Sequence, residues 1–293
     1  MSTKTSSFGV GRRESHDSSA FYDRLPKAVE DFSANSVNES PIVDEIFNRS
    51  AERMDELASN SVALMVTSPP YHVGKDYDSN TTFDEYLGML EAVFAETYRV
   101  LEPGGRAVVN VANLGRRPYT PLSHMVTARM LKVGFLMRAE IIWRKAKGAN
   151  GNCAWGSWQS PLNPVIRDVH EYCLCFSKGR FGRVRKGKAT ISREDFLAST
   201  LSVWEFPPES ATRVNHPAPF PVKLPQRFIE LYTFSEDLVL DPFMGSGTTA
   251  VAAVKTGRHW VGYETNPEYL QAARNRIAFE KASLGLEDAA DDG

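Results

Sequence analysis

The sequence predicts an α/β protein with a mostly parallel β-sheet that helices cover on both faces. Two observations lead to this class. Short runs of Val, Ile, Leu and Ala alternate in most places with longer stretches of helical periodicity. One of the short runs also passes into a helix through a glycine-rich turn. A length of 293 residues suits one catalytic domain with appendages.

The apolar runs and the periodic stretches give the order of the elements. Strands are predicted at residues 62–66, 106–112, 139–143, 171–176, 238–241 and 259–263. Helices are predicted at residues 82–101, 121–133, 224–234, 247–256 and 267–281. Thr82 is expected to cap the first helix, because Glu85 follows it three residues on and completes a capping box.

Composition shifts along the chain predict the domain boundaries. Residues 1–42 are polar and rich in Ser, and we expect an N-terminal arm there. Residues 43–281 form the predicted catalytic domain, and residues 282–293 form an acidic C-terminal tail. The stretch 178–215 lacks alternating strands and helices and contains a basic block, so it is the predicted target-recognition insert.

Overall composition narrows the class of protein. Hydrophobic residues make up 42% of the chain and charged residues 24%, which is typical of a globular protein. No apolar run approaches the ~18 residues needed to cross a bilayer, and the start has no apolar signal core, so a cytoplasmic location is expected. Cys173 and Cys175 fall on one face of a strand and are expected in the core. No His, Cys or Asp pair has ligand spacing, so no metal site is predicted.

The glycine-rich turn predicts a nucleoside site. Asp241 ends a strand, Gly245 and Gly247 allow a ligand to approach the backbone, and Thr248 opens a helix. Glu264 ends the next strand, where a carboxylate can receive the two hydroxyls of a ribose. A phosphate-binding P-loop would need a Lys after Gly247, and the dinucleotide fingerprint would need a third glycine. A nucleoside cofactor without a pyrophosphate fits best, and S-adenosylmethionine is the obvious one.

A second motif, TSPPY at residues 67–71, places two prolines directly after a strand. Together with the DPFMGSGTT box at residues 241–249, it resembles the β-class DNA methyltransferases that methylate amino groups. The catalytic box precedes the cofactor box, which is the permuted order of that class. The resemblance implies a Rossmann-like S-adenosylmethionine-dependent methyltransferase fold, S-adenosyl-L-methionine as cofactor and double-stranded DNA as substrate, and therefore an association with the nucleoid.

The chemistry of an amino group accounts for the residue types in TSPPY. An exocyclic amine is a poor nucleophile, because its lone pair is delocalised into the base. The Ser68 hydroxyl and the Pro69 carbonyl are suitable acceptors for the two amine hydrogens, and Pro69 and Pro70 fix where they point. Tyr71 offers a ring on which a base extruded from the duplex can stack. No covalent nucleophile is required, and none of the three cysteines follows Pro as in the carbon-methylating DNA enzymes.

The resemblance also implies which residues bind the cofactor and the DNA. The cofactor set comprises Asp241, Pro242, Phe243, Gly245, Ser246, Gly247, Thr248, Glu264 and Asn266, with His216, Pro217 and Phe220 from the stretch HPAPFP. The predicted DNA contacts are Arg180, Arg183, Arg185, Lys186 and Lys188 in the basic block, and Arg116 and Arg117 after a strand. A homodimer and a cognate restriction endonuclease acting on the same site are partners that the sequence leaves open.

Three points stay open. Ser68 favours the N4 amine of cytosine in a short duplex sequence, with the N6 amine of adenine as the alternative; a methyltransferase acting on RNA or protein and a non-catalytic DNA-binding module are less favoured. Asn48, Arg49 and Ser50 stand where relatives commonly carry an acid that meets the adenine of the cofactor. The neighbouring residues Trp155 and Trp158 are expected to pack over the core, and stacking on displaced bases is the alternative.

Overall fold

The computed structural model describes residues 29–71, 82–115, 118–145, 156–208 and 220–285. The chain divides into two compact units, Met1–Asp31 and Phe32–Gly293, and the description below concerns the second. Several predicted features lie outside the described residues: residues 1–28 of the arm, Arg116, Arg117, Trp155, His216, Pro217 and residues 286–293 of the acidic tail.

The described residues form eight strands and six helices, which alternate along the chain except that β2 follows β1 and β5 follows β4 without a helix between them. The strands are β1 (Glu45–Phe47), β2 (Val62–Thr67), β3 (Leu101–Val111), β4 (Phe135–Arg144), β5 (His170–Lys178), β6 (Val203–Glu205), β7 (Leu238–Asp241) and β8 (His259–Tyr263). The helices are α1 (Phe83–Val100), α2 (Leu122–Val133), α3 (Arg193–Ser199), α4 (Lys223–Tyr232), α5 (Thr248–Lys255) and α6 (Pro267–Ser283).

All eight strands join one sheet in the order β1-β8-β7-β2-β3-β5-β4-β6. Strand β5 pairs antiparallel with β3 and β4, and every other pairing is parallel. The carboxyl ends of the seven parallel strands therefore meet at one edge of the sheet, the carboxyl edge, and their amino ends define the amino edge. Because β5 runs the opposite way, it starts at the carboxyl edge and ends at the amino edge.

Helices cover both faces of the sheet, so the predicted fold class is confirmed. One buried cluster packs α1 and α2 against the sheet and includes Leu90, Phe94 and Val126. The other packs α4, α5 and α6 against the opposite face and includes Phe228 and Ala252. Burial of these apolar side chains is the main force that holds the layers together.

The local predictions are largely confirmed. All six predicted strands and all five predicted helices are present, and Thr82 and Glu85 form the expected capping box. Cys173 and Cys175 are fully buried in β5, as expected. Three short elements were not predicted: β1 and β6, of three residues each, and α3, of seven. Elements this short carry too few residues for a periodic pattern. Both α3 and β6 lie within the predicted insert, and β6 extends the sheet beside β4.

Candidate active site

Three adjacent strands bring the two sequence motifs together at the carboxyl edge. The order β8-β7-β2 places the end of each strand beside the next. Ser68–Tyr71 follow β2, the glycine turn follows β7, and Glu264 follows β8. Motifs that are about 170 residues apart in the chain thus share one edge, which is where open α/β sheets bind ligands.

The Asp241 side chain connects β2, which precedes the catalytic box, to the glycine turn through hydrogen bonds. Its Oδ1 accepts hydrogen bonds from the Thr67 hydroxyl at 2.5 Å and the Phe243 amide at 3.1 Å, and its Oδ2 accepts one from the Thr249 hydroxyl at 2.7 Å. The residue is 1% exposed, and burial raises the pKa of its carboxyl to about 6. The Asp241 carboxylate thus positions Thr67 and α5, and its predicted part in the cofactor pocket stays a prediction.

The glycine turn has the backbone shape that only glycine adopts freely. Gly245 and Gly247 have φ angles of 51° and 79°, in the left-handed region. A Cβ atom on Gly247 would come within 3.0 Å of the Ala273 Cβ, so α6 packs tightly under the turn. The carboxylate of Glu264 lies beside the turn, with Oε2 accepting from the Gly245 amide at 2.8 Å and Oε1 accepting from the Asn266 amide at 2.8 Å.

These groups fit the nucleoside cofactor that the sequence implies. A partly buried carboxylate suits ribose hydroxyls, and burial raises the pKa of Glu264 above its usual value. Gly245 and Gly247 have no side chains, so a ligand can approach the backbone of the turn closely. Glu264 and the main chain around Gly245 and Gly247 would hold the nucleoside, and Asn266 caps α6 through its side chain instead, accepting from the Glu268 amide at 2.8 Å.

Two of the remaining predicted cofactor residues, Ser246 and Thr248, accept hydrogen bonds from an arginine on α6. Arg276 on α6 donates to the Ser246 carbonyl at 2.7 Å, the Ser246 hydroxyl at 2.9 Å and the Thr248 hydroxyl at 3.2 Å. Sequence reasoning missed Arg276, because a cation within a helix carries no motif. Pro242 is buried, while Phe243 and Phe220 are half-buried and each packs against one of the two core clusters.

Asn48 lies beside the end of β8. It is one of the three residues that stand where the resemblance leads us to expect an acid. Its side-chain amide donates to the carbonyls of Glu264 at 2.8 Å and Thr265 at 3.2 Å. Arg49 pairs with Glu56 instead, with 2.7 Å between nitrogen and oxygen. Of the three residues that replace the acid, Asn48 is thus the one fixed against the end of β8.

Tyr71 joins the ends of β2 and β3 through its hydroxyl. Tyr71 Oη accepts a hydrogen bond from the Ala112 amide at 3.1 Å and lies 3.3 Å from Ser68 Oγ. Burial, reinforced by the negative charge of Glu171, raises the pKa of the phenol well above its usual value. The phenol is therefore neutral at physiological pH and keeps a hydrogen that it can donate.

Glu171, at the start of β5, is a further acidic group near this site. Its Oε2 accepts from the Asn110 side chain at 2.6 Å, and its Oε1 pairs with Lys145 at 2.7 Å. The side chain is 12% exposed. Sequence reasoning missed Glu171, because the strand EYCLCF reads as a core strand. Its fixed position at the carboxyl edge was visible only once the direction of β5 was known.

The predicted DNA contacts in residues 178–188, the basic segment, lie at the end of the sheet opposite the catalytic box. This segment follows β5 and therefore lies at the amino edge, where Lys178 donates to the Arg99 and Leu101 carbonyls. Arg183 is 6% exposed and forms ion pairs with Glu102 at 2.5 Å and Asp237 at 2.6 Å. It is a buried structural cation, so it cannot meet a phosphate.

The other cations of the basic segment lie at the same edge. Arg180 stacks over the Phe32 ring at 4.7 Å and donates to Asn35, and Arg185 pairs with Glu39 at 3.0 Å. Both arginines thus hold residues of the predicted arm. Lys186 and Lys188 are exposed, but they too lie opposite the catalytic box. The basic segment as a whole does not line the site.

Two features, a metal-binding cluster and a membrane-spanning helix, are absent from the part of the chain that the structure describes. No group of three or more His, Cys, Asp or Glu side chains there is arranged to hold a metal ion. No helix there is both long enough and apolar enough to cross a membrane.

Comparison with known proteins identifies the family. A family model described as DNA methylase, for N6 and N4 methyltransferases, matches residues 62–275, a span that includes both motifs. The Type II methyltransferase M.ScaI of Streptomyces caespitosus is 29% identical over 252 residues, with 80% of this chain and 81% of that protein covered. The DNA adenine methyltransferase YhdJ of Escherichia coli is 27% identical over 244 residues, covering 76% and 79%.

A solved structure supports the same assignment. TTHA0409 of Thermus thermophilus, described as a DNA modification methylase and complexed with S-adenosyl-L-methionine, is 32% identical, with a TM-score of 0.65. The match covers 80% of this chain and 93% of that one. The predicted cofactor and the Rossmann-like methyltransferase fold are confirmed at the level of the family. With both motifs at one edge and the family model spanning β2 to α6, the chain belongs to the S-adenosyl-L-methionine-dependent DNA methylases of the N6-adenine and N4-cytosine family.

Proposed function

We propose that the protein transfers a methyl group from S-adenosyl-L-methionine to the N4 amine of cytosine in a short duplex DNA sequence. The observation that carries this proposal is the contact between Ser68 and Tyr71 at the end of β2. The alternative target is the N6 amine of adenine. One relative, YhdJ, is named as a DNA adenine methyltransferase, which supports that alternative.

The hydrogen-bond directions around Tyr71 define what Ser68 can do. Because the Ala112 amide donates to Tyr71 Oη, the phenol hydrogen is available for Ser68 Oγ. Ser68 then retains one lone pair, which can accept an amine hydrogen, and its own hydrogen, which can be donated to an unprotonated ring nitrogen. An amine next to a ring acceptor is the pattern on the pairing edge of both cytosine and adenine, so this geometry fits both bases.

The preference for cytosine rests on the chemical type of Ser68. A hydroxyl accepts a hydrogen bond more weakly than a carboxylate does, and it can donate one as well. The Pro69 carbonyl provides the second acceptor, and the proline rings limit its movement. Two acceptors on the amine hydrogens draw the nitrogen towards tetrahedral geometry and free its lone pair.

The roles of the other residues follow from their positions. The cofactor supplies a methyl group on a positively charged sulfur. Glu264 and the glycine turn hold the nucleoside part, and Asp241 keeps the turn in register with Thr67 and thus with Ser68. The Tyr71 ring gives the extruded base a surface for stacking, which offsets part of the extrusion cost of a few kcal/mol.

Mapping methylated positions in DNA from cells that express the protein tests the proposal most directly. We expect N4-methylcytosine at one short sequence, and its absence in cells that express Ser68→Ala. A map with only N6-methyladenine would overturn the choice of cytosine. If purified protein transfers label from the cofactor to RNA or protein but not to duplex DNA, the substrate assignment is wrong.

Two partners remain predictions from the resemblance. A cognate restriction endonuclease would cut the sequence that this protein methylates, and cleavage of unmethylated DNA by an extract from the source cells tests that. Sedimentation of the purified protein tests the homodimer.

A further inference from the structure

The connection between β4 and β5, residues 145–169, displays large apolar side chains to solvent. Trp158 is 64% exposed, and Leu162 and Ile166 are each 88% exposed. A single exposed apolar residue is common on a protein surface, but three within nine positions form a group that points to an interaction site.

A hydrogen-bonded turn holds two of these side chains in place. Gly156 and Pro164 form an antiparallel bridge, and the Ser157 amide donates to the Asn163 carbonyl at 2.9 Å. The Ser157 hydroxyl donates to the Ser160 carbonyl at 2.7 Å and accepts from the Asn163 amide at 2.8 Å. Trp158 and Leu162 lie within this turn, so they are displayed by an ordered backbone, which lowers the entropy cost of binding.

The connection leaves β4 and enters β5 at the carboxyl edge, where the Lys145 amide donates to the Val169 carbonyl at 2.9 Å. In the sheet, β3 separates β5 from β2, which the proposed catalytic box follows. Asp168 lies near the residues that follow β3, because a Cβ atom on Gly115 would come within 3.7 Å of its carboxylate. Lys145 pairs with Glu171, and the rest of the connection contains the basic residues Lys147 and Arg167 and one acid, Asp168, so a small positive charge remains for a nucleic acid.

We infer that Leu162, supported by Trp158 and Ile166, enters the DNA duplex next to the target base and occupies the space that the base leaves. This inference rests on the proposed function, since only an enzyme that extrudes a base needs to fill that space. Extrusion costs a few kcal/mol, and apolar side chains inserted between base steps recover part of that cost. The basic residues nearby keep the backbone phosphates close. For Trp158, the structure thus favours the base-stacking interpretation over packing on the core.

The test compares two duplexes that differ in the cost of extruding the base. Both carry the methylated sequence found by mapping; in one the target base is paired, and in the other it faces an abasic position. Leu162→Ala should lower kcat/KM on the paired duplex about tenfold and on the abasic duplex less than about twofold. The control Leu131→Ala removes an apolar side chain that is 49% exposed on α2, outside the connection, and should change neither value.

Three results would overturn the inference. The first is an equal loss on both duplexes, which would indicate a general contact. The second is an unchanged kcat/KM in Leu162→Ala and in the triple variant with Trp158→Ala and Ile166→Ala. The third is a stable wild-type dimer that Leu162→Ala dissociates in sedimentation, which would assign the apolar group to a second copy of the chain.

A fluorescence measurement separates failure of this inference from failure of the proposed function. The base analogue 2-aminopurine at the target position becomes brighter when it leaves the stack, and no methyl transfer is needed. If mapping finds only N6-methyladenine, the proposed cytosine target is wrong, and 2-aminopurine then replaces that adenine. Whichever base is the target, equal 2-aminopurine signals from wild type and Leu162→Ala would overturn the inference, and a weaker signal from the variant would support it.

Discussion

Two stretches of this chain flank β5, and they differ in what they do with their charges. The basic segment, residues 178–188, has six Lys or Arg and no acid, yet it folds onto the amino edge and uses several of its cations internally. The β4–β5 connection has half as many basic residues, but it lies at the carboxyl edge and exposes apolar side chains. The denser cluster of charge therefore lies at the end of the sheet opposite the catalytic box.

The direction of one strand explains this difference. Strand β5 has nine residues, and at a rise of about 3.3 Å per residue its two ends are about 26 Å apart. A residue directly before β5 lies at the same end of the sheet as the catalytic box, while a residue directly after it lies at the opposite end. Which end of the sheet each stretch occupies thus depends on strand direction and not on local composition.

The largest expected effect comes from replacing Arg183, the buried cation of the basic segment. Arg183→Ala removes the arginine that pairs with Asp237 and leaves Glu102 with only Arg185, 3.5 Å away, so we expect the free energy of unfolding to fall by about 3–5 kcal/mol. Urea denaturation measures this change, with Lys188→Ala as the exposed control. If the variant keeps its stability but binds DNA more weakly, Arg183 contacts DNA, as the sequence predicted.

At the carboxyl edge, Ser68→Ala tests the chemistry. Loss of one preorganised hydrogen-bonding group should lower the single-turnover rate of methyl transfer about 10²–10³-fold. Cofactor affinity, measured by titration calorimetry, should not change, because Ser68 follows β2 and the glycine turn follows β7. A large loss of cofactor affinity would contradict this division of roles.

The buried Asp241 carboxyl, which connects the two motifs, should make the free energy of unfolding depend on pH. The pKa of Asp241 is raised to about 6 from an ordinary value of 3.8, so the folded protein binds this proton more tightly than the unfolded chain. Stability should then fall as pH rises from about 4 to about 6, by up to about 3 kcal/mol from this group. Asp241→Asn should lose that component, and thermal melts across this pH range, compared with Glu236→Gln at an exposed position, measure it.

A smaller effect separates the two roles of Tyr71. Tyr71→Phe keeps the ring but removes the hydroxyl that contacts Ser68 and Ala112. One hydrogen bond contributes about 1 kcal/mol, so the methyl-transfer rate should fall about fivefold. Tyr71→Ala, which also removes the stacking surface, should reduce the rate further. Equal rates for Phe and Ala would show that the ring contributes nothing.

The smallest expected effect concerns the exposed lysines at the amino edge. In the double variant Lys186→Ala, Lys188→Ala, we expect DNA affinity and its salt dependence to stay unchanged. Two lost phosphate contacts would lower the slope of log K against log salt by about 1.8. Fluorescence anisotropy at several salt concentrations distinguishes these outcomes, and a slope reduced by that amount would restore the DNA role of the basic segment.

Sequence reasoning predicted the features that are local in the chain. The periodic stretches, the capping box at Thr82 and the two motifs each occupy a short window, and their local chemistry decides their structure. Arg183 was predicted wrongly, because its partners Glu102 and Asp237 are 81 and 54 residues away and no window contains all three. Glu171 and Arg276 were missed for the same reason, since each gains its role from contacts between distant segments.

The hydrogen bonds of Asp241 have a consequence for how the two ligands communicate. The carboxylate bonds to Thr67, which precedes Ser68, and to Thr249 in the helix that leaves the glycine turn. A ligand that orders the turn therefore also orders the residue before Ser68. Thermodynamic linkage makes such coupling reciprocal: if the cofactor strengthens DNA binding by some factor, DNA strengthens cofactor binding by the same factor. One buried carboxylate thus connects the helix after the glycine turn with the residue before Ser68.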